Sequence, residues 1–215
     1  ITMTAKEVVI NAADAGIWLQ NNTQTETTPS DGTHLTISAD NTVIKAEGAG
    51  IRAFSNSQVE ISGNLTVDAP LAIDTRGNSI ININQDGKGK VVLNGDILFE
   101  TPNAPGDAQN SGNIINSEVN LNLSSADSSW TGRAYQSYRV KNSDETYSDI
   151  ENVELNADPY YGNVTDFTVS LSNGAQWNSN GDSFVNNLEV ADGASVNMQA
   201  DAKVLNVDAM NVDNA

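Results

Sequence analysis

Residues that could carry out catalysis are few in this chain. It holds one histidine, His34, and no cysteine, so a Ser-His-Asp site would have to use a histidine at the start of a strand-like run. Ser183 follows Gly-Asp in "NSNGDS", without the G-x-S-x-G elbow or a following helix. We interpret His34 as a surface or edge histidine and Ser183 as a turn residue, and predict that the chain is not an enzyme.

Clustered carboxylates are the other pattern that could do chemistry. Five acidic residues lie around Tyr147, namely Asp144, Glu145, Asp149, Glu151 and Glu154. Two carboxylates on one face, flanked by aromatic platforms for sugar rings, would suit glycoside hydrolysis. A solvated acidic loop explains the same residues, and we favour that interpretation.

Metal binding is only weakly indicated. Calcium takes oxygen ligands, which this Asp- and Asn-rich chain could supply. Neither an EF-hand loop nor the Gly-rich calcium nonapeptide occurs in the sequence. We predict no metal and no cofactor, and keep structural calcium as the alternative.

The strongest binding pattern lies in residues 133–167, which contain all five tyrosines of the chain and several basic residues. Tyrosine offers a flat apolar face and a hydroxyl, and arginine adds donors, which suits contacts with proteins and sugars. The predicted binding residues are Tyr135, Tyr138, Arg139, Lys141, Tyr147, Tyr160 and Tyr161. The alternative is that the tyrosines pack this segment onto the rest of the chain as a lid.

Composition excludes several classes of partner. The 28 acidic residues exceed the 10 basic ones, giving a net charge of −18, so nucleic acid and anionic membranes should be repelled. No apolar stretch reaches the roughly 18 residues of a membrane span. The lack of cysteine excludes a disulfide-stapled domain. The 215 residues suffice for one large domain, and the abrupt ends suggest a fragment of a longer protein.

Short runs of alternating apolar and polar residues recur along the chain, typical of strands with one buried face. Examples are "HLTIS" (34–38), "QVEIS" (58–62), "SIININ" (79–84) and "TVSLS" (168–172). Gly, Asn, Asp and Ser separate them and favour turns. No segment sustains the apolar spacing of an amphipathic helix.

The spacing of the strands favours a repeat architecture. Ile37, Ile61 and Ile83 follow one another at a period of about 20 residues, as do Leu171, Val190 and Val207. A sandwich or barrel would space its strands more closely, at about 8–12 residues. The pattern fits an all-β parallel solenoid of eight or nine coils, with inward side chains stacked between coils and small or Asn residues in ladders at the corners.

Two segments interrupt this rhythm. They lie near 100–113, where two prolines and two glycines occur, and at 133–167. A shorter polar candidate lies at 20–32. We interpret them as loop insertions in a single domain spanning 1–215.

Residues 118–207 resemble a known family. "SSADSSWTGRA" (124–134) and "VSLSNGAQWNSNGDSFVNNLEVADGASVNM" (169–198) resemble the C-terminal part of autotransporter passenger domains of the AIDA/pertactin type. The matching residues are Trp130, Thr131, Gly132, Leu171, Ala175, Trp177, Gly181, Ser183 and Leu188. The insertion at 133–167 is longer than the family pattern.

The resemblance implies a right-handed parallel β-helix displayed on the surface of a Gram-negative bacterium, or released from it, with a parent protein anchored by an outer-membrane β-barrel absent from this chain. It also implies an adhesin stalk that attaches to a host surface or matrix protein or glycan, or self-associates in biofilms. Two alternatives remain, a β-helix enzyme that degrades polysaccharides and a structural spacer that seeds folding of the passenger.

Overall fold

Alternating strands dominate the folded chain, as the apolar–polar pattern predicts. A computed structural model describes residues 1–21, 32–100, 117–154 and 165–213, and these residues form strands and turns without a helix. The strands are β1 (Thr2–Ala12), β2 (Ala15–Gln20), β3 (Thr33–Ala46), β4 (Ala49–Phe54), β5 (Ser57–Arg76), β6 (Ile80–Ile83), β7 (Val91–Glu100), β8 (Ser117–Leu123), β9 (Ser129–Thr131), β10 (Ala134–Lys141), β11 (Tyr147–Asn152), β12 (Thr165–Leu171), β13 (Gln176–Ser179), β14 (Ser183–Ala191), β15 (Ser195–Met198) and β16 (Leu205–Asp213). Within these residues no helix is long and apolar enough to cross a membrane.

The strands stack in parallel on three faces, which confirms the predicted all-β parallel β-helix. The first face contains 2–5, 33–38, 57–62, 80–83, 117–123, 165–171, 187–190 and 209–213. The second contains 7–12, 41–46, 64–68, 91–94, 129–131, 176–179 and 195–198. The third contains 15–20, 49–54, 71–76, 97–100 and 134–137 as one paired stack, and 183–185 with 205–207 as another.

The described residues thus make seven three-faced coils, and 209–213 begin another on the first face. This is fewer than the eight or nine coils expected from the period. Among the described residues, part of the difference arises because Tyr147–Asn152 pair antiparallel with β10 and add no strand to the parallel stack.

Side chains in register on neighbouring coils build the core. On the first face, Ile37, Ile61 and Ile83 are stacked partners, and all three are buried. The row on the third face is Ile17, Ile51, Ile73, Ile97 and Ala134. Each coil therefore removes apolar area from water only by contact with its neighbours, which is the stabilising principle of a solenoid.

The Trp-Thr-Gly step that carries the family resemblance forms a corner of the rod. Trp130 points into the core and stacks on Trp177 of the next coil, with ring centroids 4.4 Å apart. The Trp130 Nε1 group donates to the Gly95 carbonyl at 3.0 Å, and Trp177 Nε1 donates to the Gly132 carbonyl at 3.0 Å. Each indole thus donates a hydrogen bond to the carbonyl of a corner glycine in the preceding coil. These motif residues therefore stabilise the fold.

Asn and Ser ladders form at the corner between the third and first faces. Asn56 and Asn78 have φ of 55° and 59°, a region that asparagine tolerates. The Asn78 amide donates to Asn56 Oδ1, and both side chains are buried. This observation agrees with the small-residue ladders expected at corners.

Candidate functional site

The segment predicted as an insertion at 133–167 begins as part of the rod. Residues 134–137 of β10 pair in parallel with 97–100 of β7. From Gln136 onward β10 also pairs antiparallel with β11, with Gln136 opposite Asn152 and Lys141 opposite Tyr147. We call the β10–β11 unit, residues 134–152, the hairpin. The interruption of the coil rhythm therefore starts a few residues later than expected, because β10 continues past the corner where other coils turn.

The hairpin brings together five of the seven predicted binding residues. Tyr135, Tyr138, Arg139 and Lys141 lie on β10, and Tyr147 begins β11. Tyr160 and Tyr161 lie outside the described residues, as does the predicted insertion near 100–113 beyond Glu100. The structure therefore describes three of the five tyrosines of this segment.

The two tyrosines nearest the rod differ in exposure. Tyr135 is 8% exposed, and the Arg133 guanidinium lies 4.1 Å from its ring centroid. Burial, with the negative charge of Glu151, raises the pKa of Tyr135. Tyr138 is half-buried further along β10. Tyr135 therefore packs the hairpin base, as the lid alternative expects, while Tyr138 keeps part of its ring available.

The tip of the hairpin is a hydrogen-bonded turn. The Asn142 amide donates to the Thr146 carbonyl at 2.8 Å. Asp144 Oδ1 accepts from the Thr146 amide at 3.1 Å and from its hydroxyl at 2.6 Å. These hydrogen bonds from Thr146 lower the pKa of Asp144. The tip therefore has a defined shape that could present side chains to a partner.

The base of the hairpin is tied to its own coil and to a later coil. Arg133 Nη2 donates to Glu151 Oε2 at 2.8 Å, and Asn206 Nδ2 donates to the Val153 carbonyl at 2.7 Å. The Gln136 side chain donates to the Glu154 carbonyl at 3.2 Å. These contacts fix the direction in which the hairpin leaves the rod.

The acidic cluster considered for glycoside hydrolysis does not converge on one point. Asp144 caps the tip turn, whereas Glu151 forms an ion pair with Arg133. Among the described residues no group of three His, Cys, Asp or Glu side chains could hold a metal ion. His34 lies half-buried at the start of β3, where the sequence predicted it.

Sequence reasoning missed a set of charged and aromatic residues on the outer side of the third face, of which Phe54, Asp74, Leu98 and Tyr135 are buried. Its stacked positions form two rows. One row is Trp18, Arg52, Asp74, Leu98 and Tyr135, and the other is Gln20, Phe54, Arg76, Glu100 and Ser137. We call these rows the arginine face. With Arg133 beside Tyr135, three of the four arginines of the chain lie there.

The arginines of this face are held by carboxylates and aromatic rings. Arg52 Nε lies 2.7 Å from Asp74 Oδ2. Arg76 lies 3.3 Å from Glu100 Oε2, and its guanidinium is 4.1 Å from the Phe54 ring centroid. A planar guanidinium stacks on aromatic rings and binds carboxylates edge-on, so both contacts are compatible.

Asp74 is the most deeply buried charge of the arginine face. It is 2% exposed, and its Oδ1 atom has no hydrogen-bond partner in the described part of the chain. Burial raises the pKa of Asp74, and the hydrogen bond from Arg52 opposes that rise. Burial also raises the pKa of Glu100, and the negative charge of Asp74 adds to it.

These raised carboxyl pKa values predict a pH-dependent stability. The folded chain binds more protons than the unfolded chain between the reference pKa of Asp74, 3.8, and its folded value. This contribution is therefore fully present below pH 3.8 and is lost as pH rises through the folded pKa. We expect Asp74→Asn to flatten the fall in unfolding midpoint as pH rises from 3.8 through the folded pKa of Asp74, by about 2–4 °C for each 1 kcal/mol of linked free energy.

Thermal unfolding followed by circular dichroism across this pH range measures the effect. Asp127→Asn, at an exposed turn position, is the matched control and should keep the wild-type slope. If the unfolding midpoint depended on pH equally in wild type and in Asp74→Asn, the raised pKa of Asp74 would be contradicted.

Comparison with known proteins does not identify a relative of this chain. No family model, no curated protein and no solved structure matches this chain. The autotransporter resemblance thus rests on the residues quoted above.

Proposed function

We propose that this chain is the stalk of a bacterial adhesin, displayed on the surface of a Gram-negative cell, that attaches to host surface or matrix molecules. The observation that carries this proposal is the projecting hairpin on a stiff β-helical rod. Four of its five described predicted binding residues lie beyond the corner at which ordinary coils turn, and Tyr135 lies in the coil strand itself. A rod that presents side chains away from its axis suits attachment better than enclosure of a substrate.

Position along the rod supports the same function. The chain leaves the third face at Gln20, at Glu100 and after Ser137, and re-enters the first face at Thr33, Ser117 and Thr165. All three long connections therefore start from one corner. Grouping long connections on one edge of a regular scaffold is typical of binding proteins.

The first face supports self-association as a second mode of attachment. Its outer side carries a short neutral polar row in register, Asn82, Asn120, Thr168 and Asn187, which continues to Glu60 and lies beside Glu118 and Asp166. The Asn120 amide donates to Asn82 Oδ1 at 2.8 Å, and the Asn187 amide donates to Thr168 Oγ1 at 3.4 Å. With a net charge of −18, two copies would avoid repulsion best through such neutral positions.

Beads coated with the folded chain test the proposal. We expect them to bind wells coated with matrix proteins or epithelial surface extract, and to do so well above beads that carry the heat-unfolded chain. The same preparation is incubated with a panel of polysaccharides. Release of reducing ends would support the enzyme alternative, whereas native beads that neither adhere nor aggregate would support the spacer alternative; either result contradicts the proposal.

A further inference from the structure

The first two coils carry an exposed aromatic platform far along the rod from the hairpin. Trp18, on β2, points outward on the third face and is 55% exposed. The Arg52 guanidinium of the next coil lies 5.2 Å from its ring centroid. The other tryptophans, Trp130 and Trp177, are both 0% exposed. An indole left in solvent on a regular scaffold, with one side already supported, is a common anchor for ligands.

The arginine beside this indole is fixed in place. Its Nε group donates to the buried Asp74 carboxylate at 2.7 Å, and its Nη1 group lies 3.4 Å from both oxygens of Asp14. The guanidinium also lies 5.8 Å from the Phe54 ring centroid. Burial disfavours the charged form, but the hydrogen bond and charge of Asp74 and the charge of Asp14 outweigh it, so the pKa of Arg52 is raised. The cation is therefore permanent, and little conformational entropy is lost when it binds a ligand.

Hydrogen-bonding capacity remains unused at this point. Asp14 is 64% exposed and accepts only the long contacts from Arg52 among the side chains that the structure describes. In the same described residues, Arg52 Nη2 makes no hydrogen bond. Donors and acceptors thus lie together at the rim of an apolar ring.

We infer that Trp18, Arg52 and Asp14 form a binding site for a neutral saccharide. The C–H face of a pyranose packs on the indole, and its hydroxyls both donate to Asp14 and accept from Arg52. The charges around Trp18 disfavour both cationic ligands and acidic sugars. A cationic side chain over Trp18 meets the Arg52 charge, and an acidic sugar meets the exposed Asp14 in a chain of net charge −18. The site lies apart from the hairpin, so it does not depend on the adhesin proposal.

Fluorescence provides a direct test, because Trp18 is the exposed tryptophan and the other two are buried. The folded chain is titrated with neutral gluco-, galacto- and manno-oligosaccharides, and with acidic oligosaccharides and a lysine-rich peptide as competitors. We expect a saturable change in emission with at least one neutral series and a weaker response to the charged probes. No saturable response to any neutral series, or a preference for a charged probe, would overturn the inference.

Variants then assign the contacts by calorimetry, which does not need the Trp18 signal. Trp18→Ala should abolish binding, Trp18→Phe should retain part of it, and Asp14→Asn should weaken it roughly tenfold, as expected for a hydrogen bond to a charged group. Asp127→Asn is the control and should bind as wild type. Undiminished binding by Trp18→Ala overturns the site. Adhesion of coated beads through the hairpin would persist in that case, so the two proposals fail separately.

Discussion

Replacing Trp130 with alanine should destabilise the rod by about 3–5 kcal/mol, the range for removing a large aromatic from a core. Trp130 is completely buried, stacks on Trp177 at 4.4 Å and contacts Phe167 edge-on at 5.9 Å. Its loss also leaves the Gly95 carbonyl without the indole donor, which lies 3.0 Å away. For a chain of this length the unfolding midpoint should fall by roughly 6–20 °C.

Trp18→Ala is the matched control for this experiment. The same side chain is removed from an exposed position, where it contacts mainly the Arg52 guanidinium. We expect a change within about 1 kcal/mol. Thermal and denaturant unfolding of both variants measure the difference. A Trp130→Ala variant as stable as Trp18→Ala would show that the stacked pair does not hold these coils together.

Gly95→Ala should be the second large effect. Gly95 turns the corner from the second to the third face with φ of 135°. A β-carbon there would lie 1.9 Å from the Ala69 carbonyl oxygen and 2.8 Å from the Ala72 nitrogen, both backbone atoms. The corner of one coil would have to move away from its neighbour. Backbone strain and overpacking each cost about 1–3 kcal/mol, so we expect a loss of about 2–6 kcal/mol.

Gly193→Ala is a control at a glycine with positive φ but without crowding. Gly193 also has positive φ, 74°, but a β-carbon there would meet no atom within 4 Å. Only the conformational cost of about 1–2 kcal/mol should appear. The difference in unfolding midpoint between the two alanine variants measures the close packing at Gly95 together with the greater strain of its φ of 135°. Similar losses in both would contradict the expectation that the close approach of Gly95 to Ala69 and Ala72 contributes to stability.

The periodic spacing of apolar residues was sufficient to predict the stacked core. Ile37, Ile61 and Ile83 are register partners on successive coils, and so are Leu171 and Val190. The prediction was wrong at the last step, since Val190 pairs with Val212, whereas Val207 pairs with Val185. The turn and corner between 191 and 204 hide the register there, because a strand pattern reveals which residues point inward but not which coil face they occupy.

The arginine face could not have been found from the same pattern. Trp18, Arg52 and Asp74 stack on one another, yet unequal connections separate them along the chain. The long segment between Gln20 and Thr33 shifts the first interval relative to the second. Single charged residues in separate strands look like ordinary solvent-facing positions. Only the register of the coils brings them together, whereas the hairpin tyrosines are close in sequence and were therefore recognisable.

Adhesion after replacement of the hairpin tests the central claim most directly. In the variant, residues 138–150 are replaced by Asn-Gly, a dipeptide that favours the tight turn needed between two paired strands. The coil strand 134–137 and the contacts of Val153 and Glu154 with the rod are left in place.

Circular dichroism and the unfolding midpoint establish that the rod is folded. A variant with Asn-Gly inserted between Asp192 and Gly193, at an exposed turn, controls for a changed loop length. If the hairpin is the binding element, beads coated with the folded hairpin variant should lose most of their adhesion to matrix-coated wells, while beads with the turn insertion adhere as wild type. Undiminished adhesion by a folded rod without its hairpin would contradict the account.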